Sequence, residues 1–170
     1  TRCTARSKSA GRGGRRAFGV EAQYGGHASP KLDYAASDVW GKLGVSVDGS
    51  MFDTDGFPIV TPSEKGLIDI NATVKFRNFN GKADYSPTDR VSLFVRAGYF
   101  GEDRVNGKVG AVNDTRWKSA SAGVRWRLPA ESDLQARLYS DGGNFPSTFL
   151  AVSAPAATFP ARRIPRPTPP

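Results

Sequence analysis

The chain has 170 residues, with 24 Lys plus Arg against 16 Asp plus Glu, a formal net charge of +8 and a hydrophobic content of 38%. A single Cys, a single His and a single Met exclude a disulfide scaffold, a Cys/His zinc site and a dithiol redox centre, and leave His27 as the only imidazole for a nucleophilic triad. With 19 Gly and 12 Pro the composition argues against a helical bundle, no apolar run is long enough for a membrane helix, and no signal-peptide core is visible in residues 1–16.

The charge is unevenly spread. Residues 1–16 carry six basic residues and no acid, and residues 161–170 add three Arg and four Pro. Neither end holds enough apolar side chains for a core, so both are expected to be disordered, as the ends of an incomplete or mis-framed chain; a basic tail for nucleic acid or anionic lipid is the functional alternative. Residues 17–160 hold 15 basic and 16 acidic residues. The patterned part is thus close to neutral, and the basic total does not imply a nucleic-acid partner.

In chain order, Phe18–Tyr24 is a weak strand candidate, and Lys31–Ser37 puts Leu32, Tyr34 and Ala36 on one face. Val39–Met51 reads as one strand with Val39, Leu43, Val45, Val47 and Met51 together, against Lys42 and Asp48. Residues 53–66 (DTDGFPIVTPSEKG) read as a long loop. Residues 68–77 alternate with Ile68, Ile70, Ala72, Val74 and Phe76 on one side and Lys75 and Arg77 on the other. Phe79, Ala83 and Tyr85 then fall on odd numbers, and a β-bulge near Asn78 is the expected cause of the slip.

After a tight turn at Ser86–Asp89, Arg90–Phe100 alternates strictly: Val91, Leu93, Val95, Ala97 and Tyr99 face one way and Ser92 and Arg96 the other. Residues 101–116 (GEDRVNGKVGAVNDTR) read as a second long loop, with Asn106-Gly107 as its turn. Trp117–Leu128 places Val124 and Trp126 opposite Arg125 and Arg127, and beyond a turn at 129–132, Asp133–Asp141 places Leu134 and Leu138 opposite Gln135 and Arg137. The expectation is all-β: an antiparallel meander of about six long strands over residues 17–152, flanked by tails 1–16 and 153–170.

Short turns at one end and long loops at the other are the signature of a transmembrane β-barrel, with the turns on the periplasmic side and the loops outside. Nine residues at about 3.3 Å each, tilted by roughly 40°, rise about 23 Å, close to the apolar band of an outer membrane. Tyr85, Tyr99 and Trp126 then stand where interfacial aromatics belong. The competing arrangement is a soluble β-sandwich binding module, such as one for carbohydrate, which shares the alternation but has shorter strands and even turns.

The sequence also resembles a known family, the TonB-dependent receptors of the outer membrane. GVEAQYGGHASPKLDYAASDVWGKLGVSVDGSMFDTDGF (19–57) is similar to its opening barrel hairpin, ending in Asp55-Gly56-Phe57. DYSPTDRVSLFVRAGYF (84–100) is similar to its second turn and following strand, and RWKSASAGVRWRLPAESDLQARLYSDGGNFPSTFLAV (116–152) to its third hairpin. The resemblance implies one section of a large barrel in the outer membrane of a Gram-negative-type bacterium, serving uptake of a metal chelate, cobalamin or a glycan. It further implies a plug domain and a TonB-type energy-coupling partner. The plug, the coupling box and most strands have no counterpart here, so the chain is expected to be a fragment of such a receptor.

In that setting Lys75, Arg77, Arg96, Arg125, Arg127 and Arg137 are the expected lumen-facing polar residues, and Asp53, Asp55, Phe57, Arg104 and Lys108 the loop candidates for contact with an extracellular small molecule. GEDRVNGKV (101–109) lacks the spacing and the Ser/Thr of a phosphate loop. Asp53, Asp55 and Glu64 are spaced like a calcium loop, but Pro58 stands where Gly is needed and strands flank it. No acid, base and nucleophile stand in a catalytic spacing. Neither an enzyme nor a cofactor is expected.

Overall fold

In a computed structural model, residues 2–6, 16–129, 131–150 and 162–163 are described. The strands are β1 (Arg2–Arg6), β2 (Ala17–Gly25), β3 (Ser29–Trp40), β4 (Leu43–Phe52), β5 (Phe57–Pro58), β6 (Asp69–Thr88), β7 (Val91–Lys108), β8 (Val112–Arg127), β9 (Asp133–Asn144), β10 (Thr148–Phe149) and β11 (Arg162–Arg163). All pairings are antiparallel, and β1-β2-β3-β4-β6-β7-β8-β9 form an open meander with β5 added beside β6. β10 and β11 pair separately. The fold is all-β, as expected, and richer in strands than the sequence pattern indicates.

Several expectations need correction. Val39–Met51 is not one strand: it turns at Gly41 (φ 59°) and Lys42, so Val39 pairs with Gly44 and leaves the face of Leu43. Arg2–Arg6, expected to be disordered, pair with Gly19–Gln23, because a sheet edge satisfies backbone groups whatever the side chains are. Arg162–Arg163 likewise lie in β11. The other residues of the two expected tails, apart from Arg16, lie outside the described residues.

Residues 101–116 are not a loop. β7 continues to Lys108 and β8 begins at Val112, so only Val109, Gly110 (φ 79°) and Ala111 connect them. Ala111 N–H donates to Lys108 O at 3.0 Å across this turn. Asn106-Gly107 belongs to the strand, where Ile70 and Asn71 stand opposite Gly107 (φ 73°) at a register shift.

β6 has no bulge at Asn78. Its register against β7 is unbroken from Ala72 to Tyr85. Odd-numbered residues therefore share one face along this whole stretch, and Lys75 and Arg77 lie on the face of Phe79, Ala83 and Tyr85. Their expected lumen-side placement beside Arg96 is corrected accordingly.

Following the paired residues across the sheet gives two faces. One carries Val20, Leu32, Tyr34, Val45, Val47, Phe79, Ala83, Leu93, Val95, Ala122, Val124, Ala136 and Leu138. The other carries Asp48, Asn80, Lys82, Arg96, Ser121, Arg125, Gln135 and Arg137. Among the described residues Ala111 is the only apolar side chain counted as buried, so no central core exists, and the sheet is a wall one layer thick.

Candidate functional site

The apolar face is the dominant surface feature. Val95 is 58% exposed, Trp126 49% and Leu138 79%. Among the described residues the main contacts between elements run along the ladder, apart from β10 of the two-stranded sheet, which touches β8. This apolar surface runs from β2 to β9, interrupted on β3 by Asp38, which pairs with Val45, and a surface of that width is unusual for a water-soluble monomer. Among the described residues no helix is long and apolar enough to cross a membrane.

The register stagger gives the wall a slant. Leu43, the first residue of β4, is level with Tyr85, Leu93 and Val124 across three neighbouring strands, yet β8 runs on to Arg127 before its own turn. The turn after Trp40 thus stops about three residues short of the turns after Thr88 and Arg127, which are nearly level because Arg127 N–H donates to Arg90 O at 2.8 Å; such a stagger is of the kind that strands tilted around a barrel show. Three turns, at Gly41–Lys42, at Asp89–Arg90 and between Arg127 and Asp133, lie at one end; the three-residue turns Gly26–Ala28 and Val109–Ala111 lie at the other, so, against expectation, short connections are not confined to one end. Trp40, Tyr85 and Trp126 stand beside the first three turns on the apolar face, while Tyr99 lies toward the opposite end of that face.

The polar face is cross-linked. The Asn80 amide donates to Asp48 Oδ2 at 2.9 Å, Ser50 N–H donates to Asn78 Oδ1 at 2.8 Å, and Arg125 pairs with Asp133. The Arg137 guanidinium stacks 5.4 Å from the centre of the Phe94 ring. Arg96, Arg125, Arg127 and Arg137 share this face through the pairs Arg96↔Ser121, Arg125↔Gln135 and Gly123↔Arg137.

Above Tyr99 the chemistry of the two faces changes. Lys75, Arg77, Asp103, Asp114, Arg116 and Lys118 occupy the face that is apolar below, while Phe52, Phe76 and Phe100 form an aromatic row on the other, with ring centres 5.6 and 6.2 Å apart. Arg116 donates to Asp103 Oδ1 at 2.7 Å and pairs with Asp114, whose shielded Oδ1 faces it. The sequence pattern missed this aromatic row because its rings come from three strands; the change of parity at residues 76–79 is the signal that could have found it.

The five loop candidates lie in this upper region but do not converge on one cavity. Asp53 follows β4 and accepts from Lys75 Nζ at 2.6 Å. Asp55 N–H donates to His27 O at 3.0 Å, and Phe57 pairs with Ala72. Between them Gly56 (φ 72°) passes so close to β6 that a Cβ there would lie 1.8 Å from Ala72 O. Arg104 donates to Glu102 at 3.0 Å, and Lys108 is level with Asp69 at the hairpin tip. Asp53, Asp55 and Glu64 do not gather: no group of three metal-capable side chains exists among the described residues, and Glu64 Oε2 accepts from Thr61 Oγ1 at 3.2 Å. His27 (φ 56°) is a turn residue.

One open groove, about 550 Å³, lies at the upper edge of the apolar face, among Ala22, Pro30, Leu32, Met51, Asp53 and Arg77. No protein-family model, curated protein or solved structure matches the chain. The functional reading therefore rests on the wall itself.

Proposed function

We propose that this chain forms part of the wall of an outer-membrane β-barrel, in a receptor of the TonB-dependent kind that takes up a scarce extracellular nutrient. The observation that carries this reading is the uncovered apolar face, seven strands wide from β2 to β9 of the meander and opposed by a polar face rich in Arg. Apolar-out and polar-in alternation, staggered short turns and aromatics near both ends of the apolar stretch are what a lipid-facing wall requires. The family assignment comes from the resemblance of residues 19–57, 84–100 and 116–152.

On this reading the apolar face meets membrane lipid and the polar face, with Arg96, Arg125, Arg127 and Arg137, meets water or a plug. The segment from Asp53 to Ile68 and the β7–β8 hairpin project outside, where a small-molecule ligand arrives. Transport needs the plug and the energy-coupling partner, whose rearrangement releases the ligand inward; the wall contributes enclosure and anchoring, and neither catalysis nor a cofactor is part of its role.

Detergent dependence tests the proposal. The full chain is expected to develop β-structure when refolded into detergent micelles or phosphatidylcholine vesicles and to aggregate in buffer alone. A folded, detergent-free soluble monomer would overturn it.

A further inference from the structure

The row of paired residues Ala22, Leu32, Met51, Arg77, Gly101 and Arg116 crosses six strands on the apolar face. Its β2–β4 half is apolar and lines the groove, and its β6–β8 half is cationic. The ladder sets the two halves side by side, with Met51 directly opposite Arg77. Leu32 and Met51 each stand eight residues from the short-turn end of their own strand, Arg77 and Arg116 eleven from theirs. Arg77 and Arg116 are thus about 10 Å farther from the turns of their own strands than Leu32 and Met51 are from theirs.

Arg77 and Lys118 have no ion-pair partner among the described residues. Tyr99 lies between them: its Oη would be 2.7 Å from a Cβ at Gly101, so the phenol folds over that glycine in the gap between Arg77 and Arg116. Two unneutralised cations and a phenol thus stand beside a largely apolar groove, which Arg77 itself helps to line, on a surface that the proposed function turns toward lipid. A phosphate head joined to an acyl chain matches this arrangement in both charge and shape, whereas a soluble anion would leave the groove unfilled.

We propose that this corner of the wall is a binding site for a phosphate-bearing membrane lipid, with the phosphate held by Arg77 and Lys118 and an acyl chain lying along Leu32 and Met51. The inference rests on the barrel reading. Its chemistry is charge-assisted hydrogen bonding at the edge of a low-dielectric region, where a basic pocket selects anionic headgroups.

The test is native mass spectrometry of the full chain refolded in a neutral detergent and titrated with phosphatidic acid or phosphatidylcholine. Phosphatidic acid is expected to be retained at least about tenfold more tightly, and Arg77→Gln or Lys118→Gln each to weaken it about fivefold. Arg77→Lys, which keeps the charge, should retain most of the affinity, and Arg96→Gln, which removes a cation from the opposite face, should leave it unchanged. Circular dichroism verifies that each variant folds.

Failure of the wild-type chain to fold in detergent would overturn the barrel reading and this inference with it. A folded chain that retains both lipids equally, or loses as much in Arg96→Gln as in Arg77→Gln, would overturn the lipid site alone. Displacement of phosphatidic acid by inorganic phosphate at equal concentration would also overturn it, by assigning the cations to a free anion.

Discussion

Between Val91 and Tyr99 the odd-numbered side chains of β7 are Val, Leu, Val, Ala and Tyr, and those opposite them on β8 are Trp126, Val124, Ala122, Ala120 and Lys118. From Gly101 to Val105 the same face of the same strand carries Asp103, beside Lys75 on β6 and Asp114 on β8. Across the wall the face that is apolar below becomes charged above, while the other face passes from Asn80, Lys82 and Arg96 to the rings of Phe52, Phe76 and Phe100. The backbone register does not change between the two regions. On the proposed barrel reading what changes is the surroundings: the lower rows would meet acyl chains on one side, and the upper rows headgroups and water there.

If that account of the lower region is right, Val95→Arg, at the middle of the apolar face, should cost about 2–4 kcal/mol of stability in detergent or lipid. Ser119→Arg, on the polar face opposite Gly98 and Asp141, should cost under about 0.5 kcal/mol. Chemical denaturation of both variants in the same micelles measures the contrast, and equal losses would break the distinction between the faces.

A smaller effect sharpens the upper region. Phe76 stacks on both Phe52 and Phe100, so Phe76→Ala should cost about 1–3 kcal/mol and loosen the extension. Hydrogen exchange should rise in residues 100–117 before it rises at Val91–Ala97.

Gly56→Ala should cost about 1–2 kcal/mol, because it strains a positive φ and drives a Cβ into the Ala72 carbonyl. The loss should be confined to faster exchange in residues 53–72. Smallest is Ala28→Gly, which relieves the left-handed backbone of Ala28 (φ 48°) and should raise stability by about 0.5–1 kcal/mol in a thermal melt.

The comparison also explains how much was legible in the sequence. Strands such as Val91–Tyr99 and Ala120–Trp126 are readable because each lies in one pair of environments, so period-2 alternation maps directly onto two faces. Where a strand crosses from one environment to another, alternation misleads. The change of parity between Phe76 and Phe79 looks like a shift of backbone register but is a reversal of which face is apolar, and this misassigned Lys75 and Arg77.

The β7–β8 extension was hidden for a related reason. Gly101, Asn106, Gly107 and Gly110 are turn-forming residues, and the segment has few apolar side chains. Its strands are held instead by the ladder from Gly101↔Arg116 to Val105↔Val112 and by the Arg116–Asp103 pair. Residues 145–150 fold back over the tip, where Asp114 N–H donates to Pro146 O at 3.0 Å and Val112 N–H to Thr148 Oγ1 at 3.1 Å. None of these bonds depends on a local pattern. The candidate site was legible only as a list of residues in two segments, because the row joining Leu32, Met51, Arg77 and Arg116 exists only once four strands are in register.

The three tryptophans offer the most direct test of the central claim, since Trp40 and Trp126 lie on the apolar face and Trp117 on the other. In vesicles of brominated phosphatidylcholine, a variant retaining only Trp126 should be strongly quenched and one retaining only Trp117 should not. Equal quenching of the two, or a Trp126 that stays unquenched in a folded chain, would contradict a wall whose apolar face meets lipid.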